Sequence, residues 1–140
     1  MRWNRISPRL LLRCEGAATL VVATALYGAR GGAWPLFLVL LLVPDLSALG
    51  YLVNSVTGAA WYNAAHTYLV PVALGAVGLA CGHTGVLLVA LIWGAHIGLD
   101  RALGYVLKYP DGFTATHLGG ATVSAQQPLG RRPEAQETTA

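Results

Sequence analysis

Four long apolar segments dominate the sequence and constrain the fold more than any other feature. They run over residues 10–29, 34–53, 59–80 and 85–107. Each is close to the roughly 20 residues that a helix needs to cross a hydrocarbon core of about 30 Å. Turn-forming stretches separate them, namely ARGGAWP, NSVTG and the short CGHTG. The sequence therefore predicts an all-α protein, a four-helix transmembrane bundle.

The composition supports this fold class. Of the 140 residues, 55% are hydrophobic and 11% are charged, whereas an ordinary soluble domain has about 25% charged residues. The length suits a single transmembrane domain, which we place at residues 1–120. Residues 121–140 are small, polar and proline-containing, so we predict a disordered cytoplasmic tail there. No basic patch is interleaved with aromatic residues, so nucleic acid is not an expected partner.

The distribution of basic residues predicts the orientation of the bundle. Four crossings place both termini on one side, and nearly all arginines and lysines lie on that side. The positive-inside rule makes it the cytoplasmic side. Arg13 and Glu15 interrupt the start of the first segment and no small-residue cleavage site follows, so we interpret it as a retained helix. We expect a multi-pass protein of the cytoplasmic (inner) membrane with both termini in the cytoplasm.

Ionisable residues inside the apolar segments point to a site. They are Glu15, Asp45, His66, His96 and Asp100. Such groups are costly in membrane helices and usually face the bundle interior or a cavity. Counting about 1.5 Å per residue from the helix ends, all five fall in the cytoplasmic half of the membrane. We predict that they form one buried site open to the cytoplasm, and we assign all five as catalytic and metal-ligand candidates.

Neighbouring residues suggest how this site is shaped. Pro44 directly precedes Asp45 and is expected to loosen the helix there. In WYNAAHTY, Tyr62 and Asn63 precede His66 by four and three residues, so they share its face. The loop KYPDGFTATH is a candidate lid. The predicted substrate-binding residues are Tyr62, Asn63, Tyr68, Trp93, Tyr109 and His117.

The fourth segment combines candidate site residues with candidate packing residues. His96 and Asp100 are spaced i, i+4 and share a face, whereas Arg101 is expected to point elsewhere and anchor the helix. Gly94 and Gly98 form a GxxxG pattern, which is typical of close helix packing.

A short internal similarity suggests that the bundle arose from a duplicated helical hairpin. The string DLSALGYLV at 45–53 is similar to DRALGYVL at 100–107 if one residue is skipped. This alignment pairs Asp45 with Asp100.

The ordered strings LLRCEG, PDLSALGY, YNAAHTY, HIGLDRALGY and LKYPDGFTATHLG resemble a bacterial family catalogued as domain of unknown function 4260. The resemblance covers about residues 10–119. It implies a small integral membrane protein with four helices, in which the quoted strings are the characteristic positions. It implies no established activity, so a function has to be inferred from the residues.

The first functional hypothesis is a metal-dependent enzyme acting on a lipid-like substrate. Two histidines and three carboxylates offer mixed nitrogen and oxygen donors, which suit iron or manganese and, less exclusively, zinc. Helix bundles hold such sites on facing helices, although their usual Glu-x-x-His motif is absent here. A zinc ion held by His66, His96 and one aspartate would leave a position for water. The enzyme would then be an intramembrane hydrolase or, with iron, an oxidase.

The second hypothesis is a metal-free acid–base isomerase or cyclase of a hydrophobic, isoprenoid-like substrate. A carboxylic acid in an apolar cavity keeps its proton to higher pH and can donate it. Asp45 or Glu15 would be the acid, and His66 or His96 the base. Aromatic side chains would stabilise developing positive charge.

The third hypothesis is a non-enzymatic membrane scaffold or subunit. Glu15 or Asp100 would pair with Arg13 or Arg101 across helices and set the packing of the bundle. Under every hypothesis membrane lipids surround the protein, and Lys108 is an interfacial anchor able to attract an anionic headgroup. A homo-oligomer is compatible with each hypothesis.

Overall fold

The computed structural model describes residues 7–105, 107 and 108. In chain order these form five α-helices and one 3-10 helix: α1 (Pro8–Ala29), α2 (Trp34–Leu41), the 3-10 helix (Val43–Leu52), α3 (Ser55–Ala65), α4 (Leu69–Ala80) and α5 (Thr84–Leu103). The predicted tail at 121–140 and most of the candidate lid, including Tyr109 and His117, lie outside the described residues.

Four helical stretches of the described chain are long and apolar enough to cross a membrane. They are Pro8–Ala29, Trp34–Leu52, Ser55–Ala80 and Thr84–Leu103. Their outer faces carry large apolar side chains, such as Val39, Val72 and Leu79, which are 62–67% exposed. Helices that are apolar on all sides are typical of membrane spans, where lipid covers the outer face. The prediction of an all-α, four-helix bundle is therefore confirmed, as expected of a multi-pass membrane protein.

The second and third spans are both interrupted. α2 ends at Leu41, and Pro44, which has no backbone N–H to donate, lies in the first turn of a ten-residue 3-10 helix. Runs of 3-10 helix longer than about four residues are uncommon and often mark a functional hinge. The third span breaks at His66, the residue that caps α3, and resumes at Leu69. Both interruptions coincide with candidate site residues.

The first and fourth spans are continuous helices that pack closely. A Cβ atom on Gly98 would lie 2.7 Å from the Leu20 amide nitrogen and 2.8 Å from the Gly16 carbonyl oxygen. Side chains do not tolerate such approaches, so this contact between α1 and α5 requires glycine. Gly94, the other glycine of the GxxxG pattern, has no neighbour within 4 Å of such a Cβ position. Only Gly98 of that pair brings helices together.

An aromatic cluster closes the end of the bundle at the turn between α1 and α2. Tyr27 packs against Trp34 and Phe37, with ring centroids 5.8 and 5.0 Å away. Its hydroxyl donates a hydrogen bond to the Ala33 carbonyl at 2.8 Å. Tyr27 is fully buried, and Ile92 of α5 belongs to the same core. This apolar end of the bundle anchors α5 against the first two spans.

The chain turns back after α5. The helix ends at Leu103, short of the expected 107, because Gly104 adopts a left-handed conformation with φ of +99°. The following residues approach the interrupted third span. The Lys108 amide donates to Asn63 Oδ1, and Asn63 Nδ2 donates to the Lys108 carbonyl, both at 2.8 Å. This pair of hydrogen bonds places Lys108 beside the break in the third span.

Candidate metal centre

Four ionisable side chains from three spans converge at the interruptions. Asp45, His66, His96 and Asp100 each offer one ligand atom, and these atoms all lie within 4.8 Å of one another. The two Nε2 atoms are 3.1 Å apart. His66 Nε2 lies 3.4 Å from Asp100 Oδ2 and 3.6 Å from Asp45 Oδ1. The corresponding distances from His96 Nε2 are 3.9 and 3.7 Å. We refer to these four residues as the His/Asp cluster.

Local structure explains how each member reaches the cluster. Asp45 lies in the first turn of the 3-10 helix, immediately after Pro44. His66 lies at the end of α3, where the third span bends. His96 and Asp100 lie one turn apart on continuous α5. The cluster therefore combines one rigid helix face with two helix interruptions.

A backbone carbonyl orients the His66 ring. His66 Nδ1 lies 2.8 Å from the Tyr62 carbonyl oxygen. Because a carbonyl only accepts hydrogen bonds, Nδ1 must carry a proton. In the neutral ring, Nε2 then presents its lone pair to the cluster. Metal-bound histidines are commonly oriented in this way, with the second ring nitrogen donating to a carbonyl or carboxylate.

Tyr62 supports two members of the cluster. Its ring stacks on that of His66, with centroids 3.7 Å apart and an interplanar angle of 11°. Its hydroxyl donates to Asp100 Oδ2 at 3.1 Å. Trp93 adds a further link, since its indole donates to the Ala65 carbonyl at 2.7 Å. These aromatic residues, which the sequence predicted as substrate-binding, lie where they position the ligand side chains.

The cluster is buried on one side and open on the other. The side chains of His66 and His96 are 4% and 3% exposed, and that of Asp100 is 15% exposed. The Asp45 side chain is 53% exposed. Solvent or a substrate can therefore reach the cluster past Asp45 without disturbing the two buried histidines or the partly buried Asp100.

A lysine lies next to the cluster. Lys108 is only 8% exposed, and its Nζ lies 4.0 Å from the centroid of the Tyr62 ring. Burial lowers the pKa of its ammonium group below the ordinary value, although the Asp100 and Asp45 carboxylates act in the opposite direction. Lys108 was predicted to be an interfacial anchor able to attract an anionic headgroup, and the structure places it beside the site.

The donor set fits a single metal ion. Zinc–nitrogen and zinc–oxygen bonds of about 2.0–2.1 Å give ligand atoms about 3.3–3.4 Å apart in a tetrahedron. The five distances between histidine and histidine or aspartate atoms, 3.1–3.9 Å, bracket that separation. Mixed imidazole and carboxylate donors also suit iron and manganese. The cluster can thus hold a divalent cation without a change in the fold.

One cavity adjoins the cluster, and a second is lined by residues that lie close to cluster members in the sequence. A small one of about 80 Å³ is lined by His66, Asp100, Tyr62 and Arg101. A more apolar one of about 250 Å³ is lined by residues next to cluster members in the sequence, among them Pro44, Ser47, Ala65 and Trp93. The Ser47 hydroxyl oxygen is buried and has no hydrogen-bond partner among the described residues. We refer to these as the polar cavity and the apolar cavity.

The other candidate residues are not members of the His/Asp cluster. Glu15 is on an exposed face of α1, outside the four-residue group, because Gly16 and not Glu15 faces α5. Asn63 binds the backbone of Lys108. The Arg101 guanidinium lies over the Tyr68 ring, with its central carbon 4.4 Å from the ring centroid.

Sequence reasoning missed Arg101. It was expected to point away from the site because it follows Asp100 directly, yet it lines the polar cavity together with Asp100. The cavity extends around α5 toward Leu12 of α1, so neighbouring positions on α5 both reach it. A basic residue in the last turn of a membrane helix is ordinary, so its position alone carried no signal.

Comparisons with known proteins identify a family but no activity. No curated protein and no solved structure matches the chain. Residues 9–121 match the family described as Domain of unknown function (DUF4260). That match includes all four membrane-spanning stretches apart from Pro8, and every member of the His/Asp cluster. The chain therefore belongs to this family of unknown function.

Proposed function

We propose that this chain is an integral membrane metalloenzyme that acts on a lipid-like substrate. It binds one divalent ion, of the zinc, iron or manganese class, through Asp45, His66, His96 and Asp100. The observation that carries the proposal is the convergence of these four ligand atoms within 4.8 Å, with the His66 lone pair directed into the cluster by the Tyr62 carbonyl.

The chain's own residues suit a catalytic metal. Buried His66 and His96 and partly buried Asp100 provide three donors, and Asp45 provides a fourth on the open side. A divalent ion held there would supply Lewis acidity and lower the pKa of a bound water toward neutrality. Asp45, being exposed, is the donor best placed to give way to a substrate or to accept a proton from water.

The apolar cavity supports a lipid-like substrate. Its walls include Pro44, Ala65 and Trp93, which directly precede or closely flank three of the four donors. A hydrocarbon chain lying in this cavity would place its polar end next to the cluster. The unpartnered Ser47 hydroxyl offers a hydrogen bond to an ester or alcohol oxygen in such a chain.

The alternative hypotheses find less support. For metal-free acid–base catalysis, the proposed acids Asp45 and Glu15 are exposed and not enclosed in an apolar cavity. For a purely structural role, Arg13 was expected to pair with a carboxylate, but its Nε donates to the Ala102 backbone carbonyl at 2.8 Å.

By the positive-inside rule, we place the metal centre on the cytoplasmic side of the inner membrane.

Metal analysis of the purified full-length protein tests the proposal. After loading with zinc, iron or manganese and removal of excess metal, we expect about one equivalent of at least one of them. His66→Ala and His96→Ala should each retain less than about a tenth of that amount, since each removes a buried donor. His83→Ala is the matched control, because His83 caps the far end of α5 and should not affect metal content.

Two outcomes would contradict the metal centre. One is a folded wild-type protein that retains none of the three metals. The other is retention of metal by His66→Ala and His96→Ala at the level of His83→Ala. Activity that survives complete chelation would favour the acid–base alternative instead.

A further inference from the structure

The geometry points to an oxyanion-binding site in the polar cavity, where Arg101 recognises the phosphate-type headgroup of an amphiphilic substrate. This inference rests on the proposed metal centre and names the chemical class of the group that binds beside it. It assigns Arg101, which the structure places among the cavity walls, as a substrate-binding residue.

The size and the walls of the polar cavity suit a small polar group. Its volume of about 80 Å³ is about a third of the 250 Å³ of the apolar cavity. Two cluster members, His66 and Asp100, form one wall, and Arg101 forms another. Leu12, Ile97 and Leu107 add apolar surface, and Tyr62 and Tyr105 complete the lining. The small volume and the charged walls suit a headgroup better than a hydrocarbon chain.

Arg101 is held in a position suited to anion binding. Its guanidinium carbon lies 4.4 Å from the centroid of the Tyr68 ring. This contact restrains the guanidinium through its π face, and the N–H donors around its edge stay available. Among residues 7–105, 107 and 108, no carboxylate forms an ion pair with Arg101. The planar guanidinium matches the oxygens of phosphate or carboxylate in a bidentate manner.

The charges of the cluster make anion binding dependent on the metal. Without a cation, the Asp45 and Asp100 carboxylates repel an oxyanion from the adjoining cavity. A divalent ion balances those two charges, so that Arg101 makes the cavity attractive to an anion. Binding of metal and oxyanion should therefore be coupled, with each increasing the affinity for the other.

The location favours a headgroup that belongs to a lipid. Arg101 lies in the last turn of α5, close to the end of a membrane span, where headgroups and hydrocarbon chains meet. Free inorganic phosphate shares the same chemistry and would bind at the same guanidinium. The two sources differ in the tail, which gains affinity from the surrounding apolar surface.

A cobalt-substituted protein provides the test. The full-length chain in an uncharged detergent is loaded with Co²⁺, freed of excess metal, and titrated with inorganic phosphate or with dodecyl phosphate. The visible absorption of the cobalt ion reports changes in its surroundings. We expect a saturable spectral change with dodecyl phosphate and binding at least about tenfold tighter than that of inorganic phosphate. Equal affinities would assign the site to free phosphate and overturn the lipid headgroup.

Variants of Arg101 test its role. Arg101→Gln should retain about one equivalent of cobalt and bind dodecyl phosphate about 10- to 100-fold more weakly. Arg101→Lys, which keeps the charge and loses the bidentate geometry, should fall between it and the wild type. Arg30→Gln is the matched control for loss of a positive charge, since Arg30 caps the opposite end of α1, and should bind like the wild type.

The outcomes separate this inference from the metal centre. If cobalt binds stoichiometrically but neither phosphate changes the spectrum, or if Arg101→Gln binds like Arg30→Gln, the oxyanion site is wrong and the metal centre stands. If the metal-free chain binds dodecyl phosphate as tightly as the loaded chain, the coupling is wrong. Failure to bind cobalt, zinc, iron or manganese at all overturns the metal centre itself.

Discussion

The two continuous membrane helices and the two interrupted spans differ in sequence and in role. α1 and α5 approach through Gly16 and Gly98 at backbone contact distance, so their pairing depends on the absence of side chains. The second and third spans instead break at Asp45 and His66 and bring polar side chains into the bundle. The continuous pair, α1 and α5, forms the frame of the bundle. The interrupted pair contributes Asp45 and His66 to the site.

This difference indicates why the site lies at the interruptions. Within a membrane, irregular backbone is tolerated only where protein or a polar cavity satisfies its hydrogen-bonding groups. Here the break in the third span leaves the Tyr62 carbonyl near the His66 ring and the Ala65 carbonyl near the Trp93 indole. The Ala65 carbonyl at the break thus binds the Trp93 indole, and the Tyr62 carbonyl accepts both the His66 amide and the His66 ring nitrogen that it orients.

Overpacking the continuous pair should produce the largest effect. Gly98→Leu places a side chain where the α1 backbone lies, and we expect the free energy of unfolding to fall by about 3 kcal/mol or more. Thermal unfolding in detergent and the yield of monodisperse protein measure this. Gly94→Leu on the same helix is the control and should be tolerated. Similar losses for both variants would show that the α1–α5 contact is not the frame of the bundle.

Removing one hydroxyl should distinguish effects on metal affinity from effects on the stability of the bundle. Tyr62→Phe keeps the stacking on His66 but loses the hydrogen bond to Asp100, so metal affinity should fall about 10- to 100-fold. Tyr27→Phe removes a hydroxyl from the aromatic cluster and should lower stability by about 1 kcal/mol with metal affinity unchanged. Competition with a chelator and thermal unfolding give the two values. Equal metal affinities for both variants would contradict the supporting role of Tyr62.

Restoring a backbone N–H at the break should have the smallest effect. Pro44→Ala permits α2 to continue as an α-helix, which rotates Asp45 away from the cluster. Because Asp45 is the exposed donor, we expect metal affinity to fall only about 3- to 10-fold, or about 0.6–1.4 kcal/mol. Pro71→Ala, in the first turn of α4, is the control. An unchanged affinity in Pro44→Ala would mean that the 3-10 helix does not position Asp45.

Most of the fold and the four residues of the cluster could be predicted from the sequence. Span lengths predicted the bundle, and the depth of Asp45, His66, His96 and Asp100 below the helix ends predicted their convergence, because depth follows from a constant rise per residue. Depth does not specify rotation about the helix axis. Glu15 has a suitable depth but faces outward, since its neighbour Gly16 occupies the contact with α5.

Two features of the structure could not be predicted from the sequence, and one similarity within the sequence stays untested. The extent of the 3-10 helix after Pro44 depends on packing against α3, so the proline indicated only that the helix is perturbed. The left-handed turn at Gly104 reverses the chain so that Lys108 lies beside the site. Hydrophobic periodicity does not indicate such a turn. The ALGY similarity paired Asp45 with Asp100, and they do meet, yet one lies on a 3-10 helix and the other on an α-helix. The duplicated hairpin remains a hypothesis.

The hydrogen bonds between Asn63 and Lys108 have a consequence for biogenesis. The two residues are 45 positions apart in the chain, and at about 5–20 residues per second a ribosome needs about 2–9 s to make the intervening segment. For about two thirds of that interval, Asp45 and His66 are already synthesised while His96, Asp100 and Lys108 are not. A nascent chain at this stage therefore has two of the four cluster residues and lacks Lys108. In the proposed metal centre, binding of an ion with full affinity would require insertion of the last helix, so that occupancy of the centre would report a completely assembled protein.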